Sequence, residues 1–299
     1  MSFSGDVKSE ICRVTETAEE CCKIAECYGA LITGKSFSSR SIRFSTEYEF
    51  AARHVCDLLA EVLGERLCEV QQNKSKFQFE IRRQADVKKV FDFFGHAMNQ
   101  LNLRINRANL QNECCYSAFM RGVFLACGTV TDPSRNYHLE FIIPFMKLSQ
   151  DLYTLIGETD ISVKYIVRKG AYVIYIKDSE SIEDMLTFIG AQISALEIMS
   201  IKVEKDMRNR VNRKVNFECA NIERSVKAGM AQVEAIELII KMQGLDTLPD
   251  EYKELAKLRL DNPDMTLKQL GETLSTPLSR SGVKHRLDRI MEIAENLKK

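Results

Sequence analysis

No C-x-x-C pair occurs among the ten cysteines of this sequence, and its four histidines are scattered. Zinc loops take ligands two apart, so that spacing argues against a structural metal. Nor is there a run approaching 18 apolar residues, which argues against a membrane span. The N-terminus, MSFSGDVKSEICRV, carries charge at Asp6, Lys8 and Glu10 and cannot serve as the apolar core of a signal peptide. A disulfide scaffold is therefore not expected either. The thiols read as buried, reduced, small apolar side chains. Net charge is lacking as well, since 42 Lys and Arg offset 42 Asp and Glu. Any nucleic-acid site must then be a local basic patch rather than a global field. A cytoplasmic protein with no membrane partner, no cofactor and no metal is the expectation.

What is present is an internal repeat, the first feature to look for in a chain long enough for two or three domains. ECYGALITGKSF (26–37) and FMRGVFLACGTV (119–130) are apolar helices running into a turn, about 93 residues apart. Strand-like SIRFSTEYEF (41–50) and NYHLEFIIPF (136–145) follow, then the amphipathic helices VCDLLAEVLG (55–64) and SQDLYTLIGE (149–158). Next come KFQFEIRR (76–83) and a hairpin over 161–178 with Lys169-Gly170 at its turn. Helices over 86–98 and 181–193 close the halves. Each half reads α-β-β-α-β-β-α, over 1–105 and 112–200, with a polar joint near Asn102–Asn112.

That order, with a glycine-bearing helix first, resembles the LAGLIDADG homing endonucleases. The resemblance implies two repeats packed through those helices, with glycines such as Gly122 and Gly128 permitting close approach. It also implies two four-stranded sheets forming a saddle over DNA, and one carboxylate per helix end holding divalent metal. Here the acid position of the second half is Cys127; in the first half it is Thr33 or Gly34. No Asp or Glu lies between Cys27 and Thr46, and Asp132 beside Pro133 reads as a turn. Neutral Cys, Thr and Gly supply no hard anionic oxygen, so no catalytic residue is expected. The sheet-face residues Arg43, Arg82, Arg168, Lys177, Glu80 and Glu140 are mixed in sign.

The C-terminal third is all helical in pattern. Residues 202–227 hold eight Lys or Arg against four acids. Arg208, Arg210, Arg213 and Lys214 there are candidate phosphate contacts, the alternative being a solvated helix face. This basic helical linker spans 201–248. Beyond it, over 249–299, a helix near Glu251–Leu260 precedes TLKQLGETLS, the turn TPLSRSG and a third helix. In that helix Val283, Leu287, Ile290 and Ala294 form the apolar stripe. Arg280, Ser281, Lys284, His285 and Asp288 face away from it, with Arg286 and Arg289 on the flanks. The pattern reads as helix-turn-helix rather than a plain bundle. The candidate DNA contacts are Thr266, Lys268, Gln269, Ser279, Arg280, Ser281, Lys284, His285, Arg286 and Arg289.

Long strings carry a second resemblance: SFSGDVKSEI (2–11), RGVFLACGTVTDP (121–133), Tyr137-His138-Leu139-Glu140, VRKGAYVIYIKD (167–178), MRNRVNRKVNFECAN (207–221) and LSRSGVKHRL (278–287). Over nearly its full length the chain is similar to the bacterial WhiA family, which joins a degenerate LAGLIDADG-type domain to a helix-turn-helix. The resemblance implies an α+β duplicated N-terminal domain and an all-α C-terminal domain. It implies a non-enzymatic, sequence-specific partner of double-stranded DNA, associated with the nucleoid. Such proteins regulate sporulation in filamentous spore formers, and serve cell division and chromosome segregation in low-GC Gram-positive bacteria. A sigma factor or another transcription regulator is the implied second partner. The competing readings are a metal-dependent endonuclease and a protein-binding scaffold.

Overall fold

The computed structural model describes residues 2–15 and 18–298. They fall into two compact units, Met1–Lys205 and Asp206–Lys299. In the first, helix α1 (Phe3–Thr15) precedes two copies of one pattern. The first copy is α2 (Glu20–Ile32), β1 (Ser36–Phe37), β2 (Ile42–Thr46), α3 (Glu49–Leu63), β3 (Gln71–Asn73), β4 (Lys76–Ile81) and α4 (Gln84–Phe93). The second is α5 (Glu113–Cys127), β5 (Gly128–Val130), β6 (Leu139–Ile143), α6 (Met146–Gly157), β7 (Lys164–Arg168), β8 (Ala171–Ile176) and α7 (Ser179–Phe188). Both sheets are antiparallel, in the orders β1-β2-β4-β3 and β5-β6-β8-β7. The repeated α-β-β-α-β-β-α order is the one expected from the sequence.

Local chemistry moves several boundaries. The strand expected over 41–50 stops at Thr46, because Tyr48 is the extended N-cap of α3 and Glu49 begins that helix. An acid in the first turn complements the positive helix end. The hairpin at Lys169-Gly170 has φ of 51° and 78°, both positive as a tight hairpin turn needs. Its counterpart in the first half turns at Lys74, φ 55°, without a glycine to mark it. The N-terminus, read above only for its charges, is a helix. Phe3, Val7 and Ile11 recur every fourth residue and are buried, and Glu10 caps the helix α8 (Gln192–Gln243). Its carboxylate accepts hydrogen bonds from Ile193 N (2.6 Å), Ser194 N (3.0 Å) and Ser194 Oγ (2.7 Å).

The two halves join along α2 and α5. A Cβ on Gly29 would lie 2.2 Å from Phe119 O, and one on Gly122 only 2.0 Å from Glu26 O. These glycines sit 93 residues apart, at equivalent points of the repeat, and bring backbone against backbone. Gly128 has a different place from the one expected: it ends α5 in an extended conformation and opens β5. A buried ion pair crosses the same seam, Arg121 Nε donating to Glu26 Oε2 at 2.9 Å. Thr15 Oγ1 lies 2.8 Å from both oxygens of Glu26, and His54 Nε2 lies 2.9 Å from Oε1. A buried charge persists only when so partnered.

The second unit holds the rest of α8, then α9 (Asp250–Asp261), α10 (Leu267–Thr273) and α11 (Arg280–Asn296). Its core draws on Leu255, Leu270, Val283, Leu287 and Ile290, together with Ile236 and Ile239 from α8. The helical domain therefore begins before residue 249, the boundary expected from Pro249, because one face of α8 is part of its core.

Gly122→Ala should destabilise the first unit by more than about 3 kcal/mol, since backbone rather than a flexible side chain occupies the space. Gly157→Ala, where a Cβ meets nothing within 4 Å, should change stability by less than about 1 kcal/mol. Urea denaturation of the two variants checks the contrast.

Candidate nucleic-acid interface

At the C-terminal ends of α2 and α5 a nuclease would hold its metal. Here Thr33 caps α2, its hydroxyl donating to Gly29 O at 2.6 Å, and the Cys127 thiol lies near it. Burial pushes that thiol up to about 12, so it stays neutral. Into the same place α1 delivers Lys8, whose ammonium donates to Leu125 O at 3.2 Å. It also lies 5.7 Å from the ring centres of Tyr48 and Phe124. A cleft of about 570 Å³ opens here, lined among others by Lys8, Lys35, Lys76, Glu47, Thr33 and Cys127. Three ammonium groups and one carboxylate do not fit a divalent cation, which wants several anionic oxygens. Asp132, the remaining acid considered, accepts from Ser134 N at 2.8 Å and shapes a turn, as its pairing with Pro133 implied. That hydrogen bonding to Ser134 holds its carboxyl below the usual range.

The sheet arginines are spoken for by acids. Glu80 lies 2.6 Å from Arg43 and 2.8 Å from Arg82. Hydrogen bonds from these arginines, Arg82 foremost, lower the Glu80 carboxyl. In the second sheet Glu140 lies 3.1 Å from both His138 and Arg168, and Lys177 rests over the Tyr175 ring. On the same face, Ile142 of β6 and Ile166 of β7 flank Val173 of β8 and are themselves exposed. The arginines of both sheets are thus paired with acids, whereas Lys76 of β4 and Lys164 of β7 are exposed.

The helical unit offers a better surface. Thr266 and Gln269 form a capping box that starts α10 (Gln269 N to Thr266 Oγ1 3.3 Å; Thr266 N to Gln269 Oε1 3.0 Å). Gly271 lets α10 meet the turn, since a Cβ there would lie 2.2 Å from Leu278 O. Glu254 fixes the turn by accepting from Ser275 N and Ser275 Oγ, each at 2.7 Å, and these hydrogen bonds lower its carboxyl. Ser279 caps α11 by accepting from Gly282 N at 3.2 Å. Val283, Leu287, Ile290 and Ala294 are buried, as their spacing predicts.

The sequence candidates thus separate by job. Thr266, Gln269 and Ser279 spend their side chains on caps. Arg286 donates to Glu251 O at 2.8 Å and ties α11 to α9, so it is not a free base reader. Arg289 pairs with Glu292 at 2.5 Å and Lys268 reaches Glu272 at 3.8 Å, both on the exposed surface. Arg280, Ser281, Lys284 and His285 remain together on the exposed face, where Ser281 Oγ lies 3.0 Å from Ser279 Oγ. Asp288 lies beyond them on that face, also exposed. On α8, Arg208, Arg210, Arg213 and Lys214 are all exposed. At about 100° per residue, Arg210, Arg213 and Lys214 share a face and Arg208 points the other way. The four cannot track one phosphate path together.

Missed by sequence reasoning is Lys8, read above only as a charge against a signal-peptide core, which α1 buries between Val7 and Ile11. Burial lowers its ammonium to about 8 from 10.5. The unfolded chain then holds more protons between those values, so folding stability should rise with pH across that window. Lys8→Met should lack this rise. Chemical denaturation of both proteins on either side of the window measures it; parallel curves would contradict the buried ammonium.

Two family models match the chain: a WhiA LAGLIDADG-like domain over residues 116–208 and a WhiA C-terminal HTH domain over residues 211–294. The chain is 36% identical over 310 residues to the probable cell division protein WhiA of Ruminiclostridium cellulolyticum, covering 100% of this chain and 99% of that protein. It is 38% identical over 314 residues to the protein of the same name from a Thermoanaerobacter species, covering 100% and 98%. The crystal structure of full-length WhiA from Thermotoga maritima superposes with a TM-score of 0.60 at 26% identity, covering 99% of each chain. The N-terminal LAGLIDADG domain of WhiA matches with a TM-score of 0.50 at 21% identity, over 63% of this chain and 90% of that one. A duplicated α/β unit whose helix seam lacks metal-binding acids, followed by a helix-turn-helix and matched end to end by these relatives, places the chain in the WhiA family.

Proposed function

We propose that this protein binds double-stranded DNA in a sequence-specific, non-enzymatic way through α11. The observation that carries the reading is the exposed cluster Arg280, Ser281, Lys284 and His285 at the start of α11. It lies opposite the buried stripe, so the helix can enter a major groove without disturbing the core. Arg and Lys there can donate to guanine O6 and N7. Arg210, Arg213 and Lys214 supply sequence-independent phosphate contacts. Arg286 and Glu254 position α11 rather than read bases. Relatives named as probable cell division proteins support a role in cell division, exercised at the nucleoid in the cytoplasm. Chromosome segregation, and control of transcription such as that of sporulation, are the forms that role takes.

The first unit serves as a scaffold. The cleft of Lys8, Lys35 and Lys76 favours this over a nuclease. The exposed Ile142 and Ile166 beside the neutralised Arg168 favour a protein partner on the second sheet, such as a sigma factor or another transcription regulator. No nicking of supercoiled plasmid is expected with Mg²⁺ or Mn²⁺; nicking abolished by Glu47→Gln would overturn the scaffold reading.

For the DNA assignment, Arg280→Ala and Lys284→Ala should each weaken specific binding by about 1–3 kcal/mol in a gel-shift titration. Arg213→Ala should weaken specific and non-specific binding alike and reduce the salt slope by about 1. Unchanged affinity in Arg280→Ala/Lys284→Ala would remove α11 from the interface.

A further inference from the structure

The repeat carries a second matched feature besides its glycines. Glu20-Cys21-Cys22 opens α2 and Glu113-Cys114-Cys115 opens α5. Cys21 and Cys114 are 93 residues apart, the separation of Gly29 and Gly122. Because α2 and α5 pack directly along their length, the two cysteine pairs meet at the N-terminal end of the seam. Cys21 Sγ lies 3.9 Å from Cys114 Sγ, and the thiols of Cys21, Cys114 and Cys115 all lie within 4.8 Å of one another. Cys22, next to Cys21 in α2, is buried.

We propose that Cys21, Cys114 and Cys115 form a zinc-type thiolate site, its fourth position open to water, that fastens the two halves of the repeat together. A tetrahedron with Zn–S bonds of about 2.3 Å has sulfur–sulfur edges of about 3.8 Å. The observed 3.9 Å matches such an edge, whereas a disulfide needs about 2.05 Å. Both pairs occupy the first turn of a helix, where free N–H groups and the helix dipole favour thiolate over thiol. Asn112 adds a hydrogen bond that lowers the Cys21 thiol. Burial raises Cys115, so this thiol would give up its proton to the metal as it binds. Cys114 is exposed and leaves an entry path, while Cys22 and Cys115 are buried. Glu19 Oε2, 3.9 Å from Cys21 Sγ, is the neighbouring acid, positioned to attract a cation. No comparable geometry surrounds the other close thiol pair, Cys56 and Cys68 at 3.3 Å, where no third Cys, His, Asp or Glu joins them among the described residues.

The expectation of no metal rested on the missing C-x-x-C. That rule concerns ligands within one loop; here each half brings an adjacent pair, and the fold supplies the spacing. The site also lies at the opposite end of the seam from Thr33 and Cys127, so it is separate from the position where a nuclease holds its ions.

The test uses the reduced full-length chain under anaerobic conditions, titrated with Co²⁺ and then Zn²⁺. One equivalent of Co²⁺ should bind with sulfur charge-transfer absorption and the intense visible bands of a tetrahedral ion, and Zn²⁺ should displace it. Cys21→Ser/Cys114→Ser should lose this binding entirely, while Cys56→Ser/Cys68→Ser should keep it. Zn²⁺ should raise the Tm of the wild type but not of Cys21→Ser/Cys114→Ser. Absence of tetrahedral Co²⁺ binding by the wild-type chain would overturn the proposal without recourse to any variant. Binding that survives in Cys21→Ser/Cys114→Ser would overturn it too.

Discussion

Everything in the first unit depends on how closely α2 and α5 approach. Carbonyl oxygens stand where side chains would be, so the seam tolerates only Gly29 and Gly122 at its crossing. That proximity brings Arg121 of one half onto Glu26 of the other inside the core. A buried ion pair is costly to desolvate, and it contributes here because Thr15 and His54 also satisfy the carboxylate. It gives the two halves a register as well as an attraction. The cleft lined by Thr33 and Cys127 at one end and the cysteine cluster at the other both follow from that register.

The two ends of the seam have opposite electrostatic characters. Helix C-termini carry partial negative charge and, together with carboxylates, would gather cations. In this chain the cleft sets the single carboxylate of Glu47 against Lys8, Lys35 and Lys76, a poor donor set for a divalent cation. At the N-termini the helix dipoles favour anionic sulfur, and the thiols of Cys21, Cys114 and Cys115 converge there. One close-packed element pair therefore accommodates different chemistry at each end, according to the residues that fill it.

In the helical unit, most polar groups near the turn serve geometry. The capping box of Thr266 and Gln269, the Ser279 cap, the Glu254–Ser275 hydrogen bonds and the Arg286–Glu251 tie all fix α11 in place. A helix so held needs few reading residues. The exposed polar side chains clustered at the start of α11 are then Arg280, Ser281, Lys284 and His285, while Arg289 pairs with Glu292. Preorganisation of this kind lowers the ordering cost on binding.

The duplication, the order of strands and helices, the missing acids at Cys127 and Thr33, and the buried stripe of α11 could be read from the sequence. Each is a local pattern, set by side-chain periodicity or by residue type at one position. Tertiary structure decided what depends on distant residues meeting. Nothing local to Lys8 tells that α1 packs it against the seam. Gly29 was one apolar-helix glycine among several until α5 crossed it, and Gly128 proved to end a helix rather than to pack in one. The hydrogen-bond partners of Arg286 and Gln269, Glu251 O and the Thr266 N-cap, are likewise invisible to charge patterning. The cysteines, spread over nearly a hundred residues, become neighbours only because two glycines let two helices touch.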